Sequence, residues 1–527
     1  MSGRAVISSV KAAAAPVRAT REKTARARSQ GGSTLRAAQS SPRAPRTVWE
    51  GAVEMPTPAA AIRIDVLVIG GGTGGYSTAL RAAALGLHVV LAERDLVGGT
   101  CLHRGCIPSK AMLHAAELVD GIAEARERWG VKATLDAVDW LSLVATRDDI
   151  VSRNHRGVEG HLAQAGVRVV RGSAELTGPR SARIEGYGEV VAGRGVVLAT
   201  GSRPRMLPGQ VADGWRVVTS DDALYAPGLP GSVLVVGGGA IGVEYASFHR
   251  SMGAEVTLVE AAERLVPLED VEVSRHLARG LKKRSIRVET GARMLETAVV
   301  EDGVRAVVRT GRGQTVTVAA ERLLVAVGRE PVTDGLGLAA AGLTTDGRGH
   351  VVPADWSRLE TAVPGVHVVG DLLPPPSLGL AHASFAEGLL VAEKLAGLRT
   401  APVDYAAVPR VTYSSPQTAA VGLTEAQARD AGHDVVVNTL PLTAVAKGMV
   451  HGRGGLVKVV AERAGRVLGV HLVGPHVSEM IAESQLVVGW DAEPADVAHH
   501  IHAHPTLSEA VGEAFLTLAG RGLHQQH

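Results

Sequence analysis

Cys101 and Cys106 are the only cysteines among 527 residues. They stand five positions apart in Gly98-Gly99-Thr100-Cys101-Leu102-His103-Arg104-Gly105-Cys106-Ile107-Pro108-Ser109-Lys110. Two thiols this close can exchange electrons with another dithiol by forming and breaking one S–S bond. A regular helix would hold their Cα atoms about 7.5 Å apart along its axis, beyond the roughly 4.4–6.8 Å that a disulfide spans. A bridge therefore requires Gly105 to bend the chain before Pro108 starts a regular helix. The dipole of that helix would act on Cys106 and favour its thiolate. Two buried free cysteines fit the same spacing, because free Cys is often buried.

A second group of reactive side chains lies near the C-terminus, where His499, His500, His502, His504, Pro505 and Glu509 follow one another. His504 and Glu509 have the types for an imidazole base oriented by a carboxylate, although H-x4-E is a weak pattern. His500, His502 and His504 alternate, so an extended backbone would aim all three one way, as a metal site would need.

The elements that must position these groups are legible from periodicity. Arg63–Ile69 is an apolar run, Gly70-Gly71-Gly72-Thr73-Gly74-Gly75 follows, and Tyr76–Ala83 reads as helix. His88–Glu93 then reads as strand. Strand, G-x-G-x-x-G (Gly70, Gly72, Gly75), helix, strand and terminal acid make a dinucleotide fingerprint in its required context. The glycines let backbone N–H groups approach a pyrophosphate, and Glu93 would accept from an adenosine ribose hydroxyl.

The pattern recurs as strand Ser232–Val236, turn Gly237, Gly239, Gly242, helix Val243–Met252 and strand Glu255–Glu260. Two fingerprints imply two dinucleotides. A carboxylate at Glu260 welcomes a free 2′-hydroxyl and repels a 2′-phosphate, so this copy should take NAD rather than NADP. Arg264 is the neighbouring cation that argues the other way. Gly195–Ser202, Leu323–Arg329 and Gly365–Asp371 are further strands entering glycine turns, and Asp371 could accept from a ribityl chain. From about Asp404 the texture changes to antiparallel strands at Val408–Tyr413, Leu456–Val460 and Val467–Val473, with helices at Ser478–Val488 and Leu507–Leu518.

Composition sets outer bounds. The length suggests three or four domains. Apolar content is 46 % but aromatics only 3 %, so the core must be aliphatic, which suits parallel α/β layers. A net charge of +2 gives no footprint of a nucleic-acid binder. Residues 1–60 hold ten Lys/Arg and three Asp/Glu, a balance of +7, leaving −5 for the rest. That segment reads as a disordered basic extension. An organellar transit peptide and a mis-assigned start, with Met55 first, are alternatives. No apolar run of about 18 residues escapes glycine interruption, so no membrane helix is expected.

These pieces, in this order, resemble the pyridine nucleotide–disulfide oxidoreductase family over residues 61–525. The resemblance is nearest to the members that oxidise dihydrolipoamide. GGTCLHRGCIPSK is its most specific element, followed by the second fingerprint with Glu260 and by His-Ala-His-Pro-Thr-Leu-Ser-Glu near the end. The resemblance implies two Rossmann-like domains, FAD at the first and NAD at the second, a central segment and a C-terminal α+β dimerisation domain. Its expected boundaries are 61–214, 215–335, 336–402 and 403–527.

The resemblance further implies that Cys101 is the interchange thiol and Cys106 the thiol facing the flavin. Lys110 would pair with Glu244, which by itself reads equally as an exposed helix acid. Asp371 with Gly379, Leu380, Ala381 and His382 would form a second FAD segment. Thr100 would contribute to FAD binding, Ala174, Thr200, Gly201 and Ser202 would touch FAD through the backbone, and Gly328 would line the NAD site. His504 would be the base and Glu509 its partner, both from the other subunit of a homodimer, which accounts for the histidines without a metal. The implied partner is a lipoyl domain of a 2-oxoacid dehydrogenase acyltransferase or a similar carrier. The implied location is the cytoplasm, or an organellar matrix if residues 1–60 are a transit peptide. The departure is His103-Arg104, where Asn-Val is commoner. A glutathione-reductase-like enzyme would want cations at the second strand tip rather than Glu260. A mercuric-reductase-like one would want another cysteine pair, and a catalytically silent flavoprotein would have no need of Cys101, Cys106, His504 and Glu509.

Overall fold

The computed structural model describes residues 61–525; the basic extension expected over residues 1–60 lies outside the described residues. The first sheet begins with Ile62–Ile69, flanked in parallel by Val89–Glu93 and Gly188–Leu198. Arg168–Arg171 pairs beyond Val89–Glu93. Val366–Val368 lies parallel on the far side of Gly188–Leu198 and shares its sheet, although almost 170 residues separate them in sequence. Val66 to Ile69 are all fully or nearly fully buried. A central parallel strand is covered on both faces, hence the unbroken apolar run in place of alternation.

Ser181–Ile184 and Ala174–Gly178 extend the first sheet antiparallel, whereas the second sheet is parallel throughout. Its order is Arg287–Glu289, Glu255–Val259, Ser232–Val236, Arg322–Val325, Val217–Val218. Arg293–Val300, Gly303–Arg309 and Thr315–Ala320 form a separate antiparallel sheet. The last sheet is antiparallel and five-stranded, in the order 410–412, 417–422, 467–474, 456–462, 435–441. Helices Val477–Gly489 and Glu509–Leu518 pack against it. Among the described residues, no helix is long and apolar enough to cross a membrane.

Both fingerprint helices start three residues earlier than their periodicity predicts, at Thr73 and Ala240. The turn glycines are themselves the first helical turn: Tyr76 N–H donates to Gly72 O at 2.9 Å, and Val243 N–H to Gly239 O at 3.0 Å. The helix expected from Pro108 likewise begins at Cys106 and runs to Arg128. Pro108 fits its third position because the first N–H groups of a helix have no intrahelical acceptor. Ser109 N–H makes the first helical bond, to Gly105 O at 3.0 Å.

The second parallel sheet and the C-terminal sheet meet at a buried ionic seam. Lys458, 1 % exposed, reaches Asp270 at 3.1 Å, Glu425 at 2.8 Å and Glu272 at 3.7 Å. Arg410 pairs with Glu269 at 3.0 Å beside it. Lys458→Met strands those carboxylates. It is expected to cost about 3–5 kcal/mol of stability, read as a lower urea midpoint at unchanged slope.

Candidate active site

The cysteines are brought to the first glycine turn by the turn itself. Gly98 N–H donates to Gly71 O at 2.8 Å. Gly99, at φ +58°, lies so close that a Cβ there would meet Gly72 Cα at 2.6 Å. A short helix, Gly99–His103, carries Thr100 and Cys101. The chain then breaks at Arg104-Gly105, and Cys106 opens the long helix. A Cβ at Gly105 would sit 3.1 Å from Thr100 O, so the break is tightly folded.

Both cysteines are free thiols here. The neighbouring Cys106 sulfur holds the Cys101 proton firmly, and burial adds to it. The Cys101 thiol in turn brings the Cys106 pKa down to about 7. Burial opposes this, while the Lys110 ammonium and the helix N-terminus assist. The two shifts run in opposite directions, the Cys101 thiol held up and the Cys106 thiol, beside Lys110 and the helix N-terminus, brought down. The Cys106 thiolate is present above about pH 7 and lost as pH falls through it. Alkylation of the reduced protein by iodoacetamide should reach half its plateau there, against about 8.5 for an ordinary thiol, and the label should map to Cys106.

Lys110, one turn along the helix, donates to Glu244 Oε2 at 2.9 Å. Burial opposes its charge, but Glu244 outweighs this and holds the ammonium above its ordinary range. Glu244 is buried, and its other oxygen accepts from Tyr413 N–H at 2.8 Å. The Tyr413 ring lies under the Lys110 ammonium, 4.7 Å to its centroid. Tyr76, on the first fingerprint helix, has its phenol pushed up to about 12 by burial and by the two sulfurs.

The two fingerprints are geometric copies. Gly70 and Gly237 take φ of +104° and +111°, and a Cβ on either would overlap a strand carbonyl, Ala199 O at 2.3 Å or Ala326 O at 2.2 Å. A Cβ on Gly75 or Gly242 would lie 1.8 Å from the carbonyl of Gly70 or Gly237. Gly72 and Gly239 face open space, as the close approach of a pyrophosphate requires. Glu93 accepts from Gly71 N–H at 2.6 Å, and Glu260 from Gly238 N–H in the same way. Both cradles thus fit a dinucleotide. Arg264 is occupied by Pro267 O at 2.6 Å.

Asp371 follows the strand Val366–Val368. Ser202 donates its hydroxyl to Asp371 Oδ2 and accepts from Arg329 Nε at 2.7 Å. A Cβ at Gly379, φ +61°, would stand 3.3 Å from Asp371 Oδ1. Leu380 caps the helix Ala381–Leu395, and His382 turns its ring to Pro409 O at 2.7 Å. Thr200 donates to Val332 O at 2.6 Å, Gly201 has φ +70°, and Ala174 is the buried first residue of the strand Ala174–Gly178. Gly328, φ +115°, lies near the Arg205 guanidinium. Sequence reasoning missed Glu387, fully buried, which accepts from Gly370 N–H at 2.7 Å, Ser377 at 2.8 Å and Tyr405 at 3.1 Å. Burial raises its pKa against those bonds. The available signal was an acid set among Ala383, Leu390 and Val391 on a helix face that must pack.

At the C-terminal group, His504 Nδ1 pairs with Glu509 at 2.7 Å, and its ring is otherwise exposed. Glu509 also accepts from Thr506 N–H at 2.8 Å. His502 turns instead to Glu483 at 2.6 Å, so His502 and His504 go to separate carboxylates. His103 Nε2 and His155 Nδ1 both address Val97 O, at 2.9 and 3.1 Å, and Arg104 pairs with Asp95 at 2.5 Å. The departure His103-Arg104 thus anchors the outer side of the cysteine loop.

Residues 64–388 match the family described as pyridine nucleotide-disulphide oxidoreductase, and residues 408–515 match its dimerisation domain. The dihydrolipoyl dehydrogenase of Bacillus subtilis is 39 % identical over 478 residues, covering 88 % of this chain and all of that protein. The one from Thermus scotoductus is 40 % identical, covering 87 % and 98 %. Among solved structures, LpdA from Mycobacterium tuberculosis superposes with a TM-score of 0.78 at 25 % identity, over 86 % of this chain and 99 % of that one. The HOCl-induced flavoprotein disulfide reductase RclA from Escherichia coli gives 0.75 at 27 %, over 86 % and 99 %. The chain therefore belongs to the pyridine nucleotide-disulphide oxidoreductases, flavoprotein enzymes that use FAD and NAD.

Proposed function

We propose that this enzyme oxidises dihydrolipoamide to lipoamide with NAD⁺ as acceptor, through a Cys101–Cys106 disulfide. The carrying observation is the pair of lone cysteines on either side of the break at Arg104-Gly105, packed on the first glycine turn, with the Lys110–Glu244 ion pair one helical turn beyond Cys106. Such a pair can pass between dithiol and disulfide. One substrate thiolate attacks the Cys101 sulfur and forms a mixed disulfide, and the S–S bond breaks to release Cys106 as thiolate. The second substrate sulfur then closes the lipoamide ring, and Cys101 leaves as thiolate and takes a proton. Two electrons pass from substrate to protein. The substrate protons go to Cys101 and to a base, for which His504, held by Glu509 and open on its other nitrogen, is suited. FAD, when bound at the first fingerprint and Asp371, supplies the two-electron link from the cysteine pair to NAD⁺.

His504 would serve from the second subunit of a homodimer; the dimerisation domain supports that arrangement. The substrate arm would belong to a lipoyl domain of a 2-oxoacid dehydrogenase acyltransferase or a similar carrier, in the cytoplasm, or in an organellar matrix if residues 1–60 act as a transit peptide. Incubating the yellow protein with dihydrolipoamide and NAD⁺ should generate absorbance at 340 nm. FAD-loaded protein that yields no NADH overturns the reading.

A further inference from the structure

Arg284 ends the helix Val271–Lys283, outside every nucleotide cradle. Its guanidinium donates to Asp120 Oδ2 at 2.8 Å, Ser251 Oγ at 2.6 Å, Ser247 Oγ at 2.6 Å and Ser415 O at 3.3 Å. The acceptors belong to three separate parts of the chain. Asp120 lies on the helix Cys106–Arg128, which carries Cys106 and Lys110. Ser247 and Ser251 lie on the helix Ala240–Ser251, which carries Glu244. Ser415 and Tyr413 both follow directly on the strand Arg410–Thr412.

The same parts touch each other around this fork. Ser251 Oγ reaches Asp120 at 3.0 Å, and Ser415 N–H donates to Ser247 Oγ at 2.9 Å. Pro416 packs on the Arg284 helix so closely that a Cβ at Gly280 would stand 2.4 Å from its Cδ. The Lys110–Glu244 ion pair and the Tyr413–Glu244 bond cross the same two junctions. We infer that Arg284 is a positioning residue. Its fork fixes the cysteine helix and the Tyr413 segment against the Glu244 helix, and so holds Lys110 where it serves the Cys106 sulfur.

A planar guanidinium with several fixed donors can join three elements at once, whereas a lysine ammonium in its place cannot reach all the acceptors. When the fork is lost, the helices can slide, Lys110 parts from Glu244, and the sulfur loses its cation. The groups facing Cys106 are Cys101 on the preceding helix, Lys110 on its own, Glu244 and Tyr413 across the junctions, and Tyr76 on the fingerprint helix.

The inference rests on Cys106 being the working thiolate of the proposed reaction, and its test reads that thiolate directly. In a Cys101→Ser background only Cys106 titrates, and the pH dependence of its alkylation by iodoacetamide reports its ionisation. Arg284→Ala should move the midpoint up by roughly one pH unit, a tenfold loss in ionisation constant. Arg284→Lys, which keeps the charge and loses the fork, should move it nearly as far, and Asp120→Asn should move it part of the way. A folded, FAD-loaded Arg284→Ala protein with the unaltered midpoint overturns the inference. An Arg284→Lys protein with the unaltered midpoint also overturns it, since charge rather than positioning would then be at work. If Arg284→Ala does not fold, Arg284→Lys and Asp120→Asn decide. Absence of dihydrolipoamide turnover in the unmutated enzyme would remove the proposed reaction and leave this comparison of midpoints standing.

Discussion

Cys101→Ser is expected to give a yellow protein, fully loaded with FAD, that no longer oxidises dihydrolipoamide. The loss should be roughly a thousandfold or more, the scale on which enzymes fail when a nucleophilic partner is removed. Without a second sulfur no internal disulfide exists for the substrate to reduce. The flavin should remain because the cradle that fits it lies in the turn backbone at Gly70, Gly72 and Gly75 and in two carboxylates held elsewhere, Glu93 by Gly71 N–H and Asp371 by Ser202. None of these bonds to Cys101. Serine also keeps a hydroxyl donor toward Cys106, so the remaining thiol should stay readily ionised. Absorbance near 450 nm reads the first outcome and NADH production the second. A colourless product contradicts the placement of the flavin, and retained turnover contradicts the disulfide.

The other large effect is expected from Gly242→Ala, a single methyl group. Its Cβ would lie 1.8 Å from Gly237 O, a backbone atom with no rotamer to escape into. Relieving that overlap requires the turn to open, at about 3 kcal/mol, or roughly a hundredfold in affinity. NADH binding, followed by calorimetric titration, should weaken by that amount while the protein remains yellow. Gly75→Ala should do the converse, because its Cβ meets Gly70 O at the same distance in the first cradle. If Gly242→Ala costs the flavin instead, the two cradles have been assigned the wrong way round.

Those cradles were legible because everything that makes them is local. Strand, glycine turn, helix and acid follow within a single short stretch of chain, Ile62 to Glu93 and Ser232 to Glu260, and each constrains the next. What periodicity misjudged was the helix start, since glycine and proline read as breakers, whereas the first turn of a helix tolerates both, as Gly74, Gly75 and Pro108 show. The cysteine pair was legible from its isolation in the chain. The opposed shifts of its two thiols were not, because they depend on which sulfur stands beside the cation supplied by the next helical turn. Lys110 and Glu244, 134 residues apart, could be joined only through resemblance. Arg284 was out of reach altogether: Asp120, Ser247 and Ser415 carry no pattern that points to one another. Glu387 stood in between, visible as an acid on an apolar face but without its three donors.

The seam at Lys458 has a consequence for how this chain can vary over generations. Its ammonium answers to Asp270, Glu272 and Glu425, drawn from two distant stretches of sequence. Losing Lys458 leaves Asp270 desolvated without its counterpart, and losing Asp270 takes from Lys458 its fully buried partner, whereas replacing both by well-matched aliphatic residues need cost nothing. Glu272 and Glu425, each about a third exposed, are freer to change. Drift at the buried pair is therefore confined to joint changes, and lineages should either keep Lys458 and Asp270 or have exchanged them together.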